Sequence, residues 1–401
     1  MMLAAVASVA LAAPAFAWDF SASGSSSATF KQTSVAYPTG DGTSSMNTTS
    51  ESGGVTVSSS HTDGGHSATF SYTAAWNTDA NNFDESVSVS GSKKVGNWTA
   101  SSAATSHMQK DATGGGVDQS TTTGSTPMNT HNTAVITLTD GSITYKLGDA
   151  AHLSTAEKAV NGPMSGAVDA EARVDSFQGF SVGMGVGPGT LTVALDMEAG
   201  AADTAFGDQS IAVACGGGSS GFGINFSGDV GADLSFTYAS ASSTASGRTC
   251  TVADNTSDSA ASANTMGLGV AIAAGPANIA LDYESSKVDA TVGGGGVTAV
   301  TTGSEKSGFE LSVSMGMGDA TVGLNVSSQT VTPTTDAAGA TANNASSSAG
   351  TELWYSVPIG PVALDIGYGS SAATTGGNTA ASTDDTTTTT TQIGAKMSMS
   401  F

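Results

Sequence analysis

Basic residues are scarce. Eleven Lys plus Arg stand against 34 acids in 401 residues, a formal net charge of -23. That balance excludes a basic patch for nucleic acid or for acidic lipid. Charged residues of both signs make up only 11% of the chain and aromatics 6%. The five histidines are scattered. His61 and His66 flank the turn HTDGGH, but no Cys or acid completes a tetrahedral set, so they read as turn decoration and no metal is expected. Nothing marks a carboxylate pair for sugar hydrolysis. No catalytic residue, enzyme activity or cofactor is therefore expected. Past residue 17, no stretch is apolar and long enough for a membrane helix.

What the chain has instead is glycine, 52 residues of it, amid much Ser, Thr and Ala. Such a composition fits disorder, but the apolar residues cluster in short alternating runs. The start, MMLAAVASVALAAPAFAWDF, is an apolar run ending in the A-x-A site Ala15-Phe16-Ala17, without a basic n-region. It reads as a secretory signal peptide over 1–17, with a mature chain from Trp18.

The runs pair into hairpins. TELWYSVPI and VALDIGYGS alternate on either side of Gly360-Pro361; FELSVSMG and ATVGLNVSS, NTMGLGVAIA and NIALDYES, GFGINFSG and ADLSFTYAS, and FSVGMGVG and TLTVALDME repeat the scheme. A weak internal repeat runs from Gly-Pro turns into Ala-Leu-Asp. Polar segments at about 199–220, 241–263, 287–306, 329–350 and 371–388 read as exposed loops. The first half is more dilute, with candidate strands near 18–30, 52–60, 66–76, 84–92, 97–106, 132–139 and 142–149. A run over 171–187 follows, and the segment 150–170 does not alternate.

Tight turns alternating with long loops are the layout of a transmembrane barrel, not of a soluble sandwich. The predicted fold is all-β: an antiparallel up-and-down barrel of 16–18 strands over 18–401, with eighteen counted. Evenness puts both termini on the periplasmic side. Tyr238, Tyr283, Tyr368, Phe222, Phe309 and Tyr355 are expected at the outer interface, and Trp18, Trp98 and Phe401 at the inner one. Trp354 falls out of phase, toward the lumen.

The exported N-terminus, the hairpin-and-loop rhythm, GSITYKLGDA and the terminal KMSMSF together resemble Gram-negative general porins, trimeric diffusion pores of the outer membrane. The resemblance implies a water-filled channel for ions and small solutes, a homotrimer, contact with membrane lipid and lipopolysaccharide, and 150–170 as an inward-folded constriction loop. It also implies that the last strand, with Ile393, Met397, Met399 and Phe401 on one face, is the signal read by the barrel-assembly machinery. The chain departs from the family in its few bases: only Lys146 and Arg173 stand beside the candidate loop.

By phase, Glu171, Asp175, Asp196, Glu198, Asp282, Glu284, Glu310, Glu352 and Asp365 point inward, since an ionised acid facing lipid is costly. They line the expected pore with Lys146 and Arg173 and favour cations. A substrate-specific channel would show an aromatic track in the lumen. A secreted Gly/Ser/Thr-rich surface-layer or adhesin β-solenoid would lack the turn-and-loop alternation and would not need Phe401.

Cys215 and Cys250 fall in successive outer loops of an exported chain, where thiols oxidise. They are predicted to form a disulfide: a non-reduced digest should give the linked peptides by mass spectrometry, and two alkylated thiols would refute the pairing.

Overall fold

The computed structural model describes residues 18–37, 42–77, 82–110, 132–163, 177–197, 203–206, 209–212, 218–245, 258–294, 297–336, 345–375 and 386–401. Residues 1–17, both cysteines, Glu171, Arg173, Asp175 and Glu198 lie outside them. The first nine strands are β1 (Asp19–Ala36), β2 (Thr43–Asp63), β3 (His66–Asn77), β4 (Asn82–Val95), β5 (Trp98–Lys110), β6 (Asn132–Thr139), β7 (Ile143–Ala150), β8 (Phe177–Val186) and β9 (Gly189–Asp196). A separate small hairpin follows, β10 (Asp203–Phe206) with β11 (Gln209–Ala212). The second nine are β12 (Gly218–Asp229), β13 (Asp233–Ala245), β14 (Asp258–Ala274), β15 (Ala277–Gly294), β16 (Val297–Met317), β17 (Ala320–Asp336), β18 (Ser346–Ile359), β19 (Val362–Thr375) and β20 (Thr386–Ser400).

Apart from the small hairpin, these strands form one 18-stranded antiparallel sheet. Neighbours in sequence are neighbours in space, β9 pairing with β12 across the hairpin. The sheet closes where β1 meets β20, from Ser25↔Ser400 to Ala36↔Thr389. Gly24 N–H donates to Phe401 O at 2.7 Å, and Phe401 N–H returns a bond to Gly24 O at 2.9 Å. The strand count thus matches the eighteen read from the alternation, and the closed up-and-down ladder excludes a solenoid.

The Gly-Pro repeat has a turn chemistry. Gly187 (φ 58°) and Gly360 (φ 62°) each open a two-residue turn, with proline second. A positive φ at the first turn residue is the type II′ requirement, and its twist matches that of the flanking strands. The β6–β7 turn uses a side chain instead. Asp140 Oδ1 accepts from Ile143 N, Ser142 N and Ser142 Oγ at 2.8–2.9 Å. These donors hold its carboxyl below the ordinary range. Their support is present while the carboxyl is ionised and fades as pH falls through that lowered value.

Outward positions carry the apolar residues. Leu281, Leu311, Leu324, Leu353 and Ile366 are exposed, while their strand neighbours Asp282, Glu310, Asn325 and Glu352 are buried. Toward the turns, Trp98, Tyr145 and Phe180 form an outer-face row with ring centroids 6.4 Å apart. At the other end Tyr283 faces Phe309 across β15–β16, both exposed. Just beyond, the same outer face changes character: Lys287 Nζ lies 3.3 Å from Glu305 and 3.4 Å from Asp289. Charges of this kind do not face hydrocarbon, so the lipid boundary falls between the aromatic pair and Lys287. Closed on itself and apolar outside, the chain is a multi-pass β-barrel of the outer-membrane type.

The polar segments are shorter as loops than their composition suggests. β14 begins at Asp258, β15 and β16 run on to Gly294 and from Val297, and β17 reaches Asp336. All of these residues fall in segments expected to be loops. Above the lipid, a ladder needs no apolar face, so Ser/Thr-rich stretches stay paired. At the other extreme, the run expected over 171–187 is strand only from Phe177 among the described residues.

The seam is closely packed. A Cβ at Gly24 would lie 2.6 Å from the Phe401 ring and 2.9 Å from Gly54 O. Gly24→Val should therefore cost about 1–3 kcal/mol by overpacking. On SDS gels it should lower the temperature at which the compact band gives way to the unfolded one, whereas Ser26→Val, next on the same face, should not. Equal behaviour of the two variants would refute the seam geometry.

Candidate functional site

The interior has two unlike walls. From β1 to β7 the inward residues are chiefly Ser and Thr, and they pair across strands through their hydroxyls. Ser27–Ser52, Thr56–Thr73, Ser67–Ser92, Ser88–Thr105 and Thr139–Thr144 lie 2.7–2.9 Å apart. This wall is polar and, among the described residues, uncharged over most of its area.

The opposite wall, β12 to β18, is covered. Residues 151–163 leave β7 and run inside the barrel without helix or strand. A segment with no ladder must find other partners for its buried amides. The wall provides them. Lys158 N donates to both oxygens of Asp282 at 2.8 and 3.0 Å, and Ala159 N donates to Asp282 Oδ2 at 2.6 Å. Val160 N donates to Ser312 Oγ at 3.1 Å. The carbonyls are held as well: Thr237 Oγ1 donates to Ser154 O at 2.6 Å, and Asn325 Nδ2 donates to Val160 O at 2.7 Å. Lys158 reaches past the segment to Asp233, 2.9 Å away.

Glycines make room for it. A Cβ on Gly269 would collide with Ala156 O, and one on Gly223 with the Leu153 side chain. Glycine inside a strand marks such a close approach of another backbone. Trp354 is inward, as its phase requires, and buried. Its ring lies over Gly323 and against Gly162, and its Nε1 donates to Asn325 Oδ1 at 3.2 Å. It is the platform under the end of the segment.

The predicted site residues divide accordingly. Asp282, Glu284, Glu310 and Glu352 take the inward phase but do not face open water: each is 2% exposed or less. Phase fixes the side of a residue, not what covers that side. Asp282 is bound by the segment's amides. Glu284 is paired with Lys306 at 2.9 Å and accepts from Gln329 at 2.9 Å. Glu310 accepts from Asn325 at 3.0 Å. Asp196 is buried at the top of β9, opposite Gly179 and Gly221. Asp365 stands half-exposed across from Lys396. Lys146 is inward between Thr137 and Ser181. Besides Lys146, the interior holds Lys158, Lys306 and Lys396, which the expected pair Lys146 and Arg173 leaves out. The phase of Lys396 was legible in the terminal strand.

The start of the segment is pinned by His152, which no motif in the chain marks. Its Nε2 donates to Gly148 O at 2.9 Å, its Nδ1 lies 2.9 Å from Ser181 Oγ, and its ring packs against Phe177 at 4.8 Å.

No protein-family model and no curated protein matches the chain. Among solved structures it is similar to the outer membrane channel DcaP of Acinetobacter baumannii, at 13% identity over 96% of this chain and 97% of that one, TM-score 0.49. It is similar to the anion-selective porin from Comamonas acidovorans at 12% identity over 96% and 100%, TM-score 0.45. It is also similar to OmpT of Vibrio cholerae at 10% identity over 96% and 98%, TM-score 0.44.

Asp282→Ala removes the acceptor of two buried amides, a loss of about 1–3 kcal/mol for each group left unpaired. The ladder is untouched. Hydrogen exchange of peptides from 151–163 should speed up by roughly ten- to a hundredfold while strand peptides stay protected, and Asp282→Asn should fall between. Unchanged exchange in Asp282→Ala would refute the anchor.

Proposed function

We propose that the chain is an outer-membrane porin, a passive channel for ions and small hydrophilic solutes without a reaction of its own. The observation that carries this reading is the one-sided seating of segment 151–163. It is held by side chains of β8, β12, β13, β15, β16 and β17, which lie together on one side of the barrel. A wet passage is thereby left between the segment and the hydroxyl wall of β1 to β6, and the segment is its constriction. An aromatic track for one substrate finds no support: Trp354 is covered by the segment it carries.

A modest cation preference is part of the proposal. On the covered side, Asp196, Asp233, Asp282, Glu284, Glu310 and Glu352 outnumber Lys158 and Lys306 among the described residues. Hydrogen bonds to amides stabilise a carboxylate without cancelling its charge, and the low-dielectric wall lets that field reach the passage. Lipid, lipopolysaccharide, a homotrimer and the assembly machinery that would read Ile393, Met397, Met399 and Phe401 complete the reading. Asp365 and Lys396 oppose each other and contribute little net field.

In planar bilayers the protein should give stepwise conductance in KCl, and a reversal potential of cation sign in a salt gradient. The preference should fade toward high salt, because the Debye length falls from about 10 Å at 0.1 M to about 3 Å at 1 M. Asp196→Asn with Glu198→Gln should move the potential toward zero while leaving the segment's anchors intact. Silent bilayers would refute the channel, and a chloride preference would refute the charge argument.

A further inference from the structure

One place in the described, acid-rich interior has the opposite character. A cavity of about 290 Å³ lies between the inner faces of β7, β8 and β9 and the start of the inward segment. Lys146 lines it, with Ser154, Thr190, Thr192 and His152, and no carboxylate lines it among the described residues. Ser181 also lines it, but its hydroxyl is engaged with His152 Nδ1. Because His152 Nε2 donates to Gly148 O, the neutral ring can offer Nδ1 only as an acceptor, which takes up the Ser181 proton. Among the described residues, the hydroxyls of Ser154, Thr190 and Thr192 have no such partner and can turn toward an occupant.

An ammonium group in a partly enclosed, low-dielectric recess draws a counter-ion if no fixed carboxylate supplies one. The volume is far more than one water needs, since water takes about 30 Å³ in the liquid. It accommodates a small polyatomic anion with part of its hydration. Several hydroxyl donors around one cation match an anion with several acceptor oxygens better than a halide.

We infer that this cavity is a binding station for a small oxyanion, phosphate or carboxylate in chemistry, held by Lys146 and by the hydroxyls of Ser154, Thr190 and Thr192. It is a local exception within a channel whose wider field favours cations. Anions that enter the barrel would pause here rather than be excluded outright. The station does not depend on conduction, so it stands or falls separately from the channel reading.

Isothermal titration calorimetry on the full-length folded barrel in detergent, in chloride buffer, tests it. Inorganic phosphate is the first probe and acetate the second. Wild type should bind phosphate at one site per chain over the chloride background, and an acetate response of comparable size would make the station a general carboxylate site. Lys146→Gln should weaken phosphate binding by at least about tenfold, the scale expected for losing a charged hydrogen-bond donor. Lys146→Arg should retain it, and Thr192→Val should weaken it less than Lys146→Gln. Folding of each variant is checked by its heat-dependent gel shift. No phosphate heat above the chloride baseline in wild type, or equal binding by wild type and Lys146→Gln, would overturn the inference.

Discussion

A peptide amide without a partner costs several kcal/mol in hydrocarbon, and that constraint governs both the wall and what lies inside it. In the wall it forces closure. β1 must meet β20, and the last residue must exchange hydrogen bonds with Gly24 for the seam to be complete. Inside, the same rule applies to residues 151–163, which have no ladder of their own. Their amides and carbonyls are taken up by Asp282, Ser312, Thr237 and Asn325. The polar side chains of β12 to β18 are therefore backbone partners first. Any influence they have on a passing ion comes from a position already fixed by that task.

This dual service explains what could be read from the residues alone. The alternation of Leu353, Tyr355, Val357 and Ile359 about Gly360-Pro361 specifies a hairpin, because period and turn chemistry agree locally. The same agreement in the other hairpins makes the strand count legible. The burial of Asp282 was not. Its cover comes from residues more than a hundred positions earlier, and no local pattern encodes that contact. The upper parts of β15, β16 and β17 were hidden for a different reason. Outside lipid, a paired Ser/Thr strand and an unpaired Ser/Thr loop have the same composition, so only the ladder tells them apart.

The glycine content gains a spatial meaning. Gly223 and Gly269 open the groove in which the segment lies, and Gly323 receives the face of Trp354. Across the lumen, hydroxyl pairs such as Thr56–Thr73 and Ser88–Thr105 fill the inner surface without adding charge. A composition that resembles a flexible linker thus serves two faces of one rigid cylinder. One face is cut away to seat a backbone, and the other is kept smooth and hydrated.

The β15–β16 pair continues well beyond Tyr283 and Phe309, with partners out to Gly294↔Val297. At about 3.3 Å per residue this is roughly 35 Å of ribbon, or about 25 Å of height at the tilt usual for such barrels. Because the ladder is continuous with the wall, the tip is carried on a stiff stalk rather than a tether. Any particle too large to enter the lumen, whether a phage, an antibody or a neighbouring cell, would meet this ribbon before it met the bilayer.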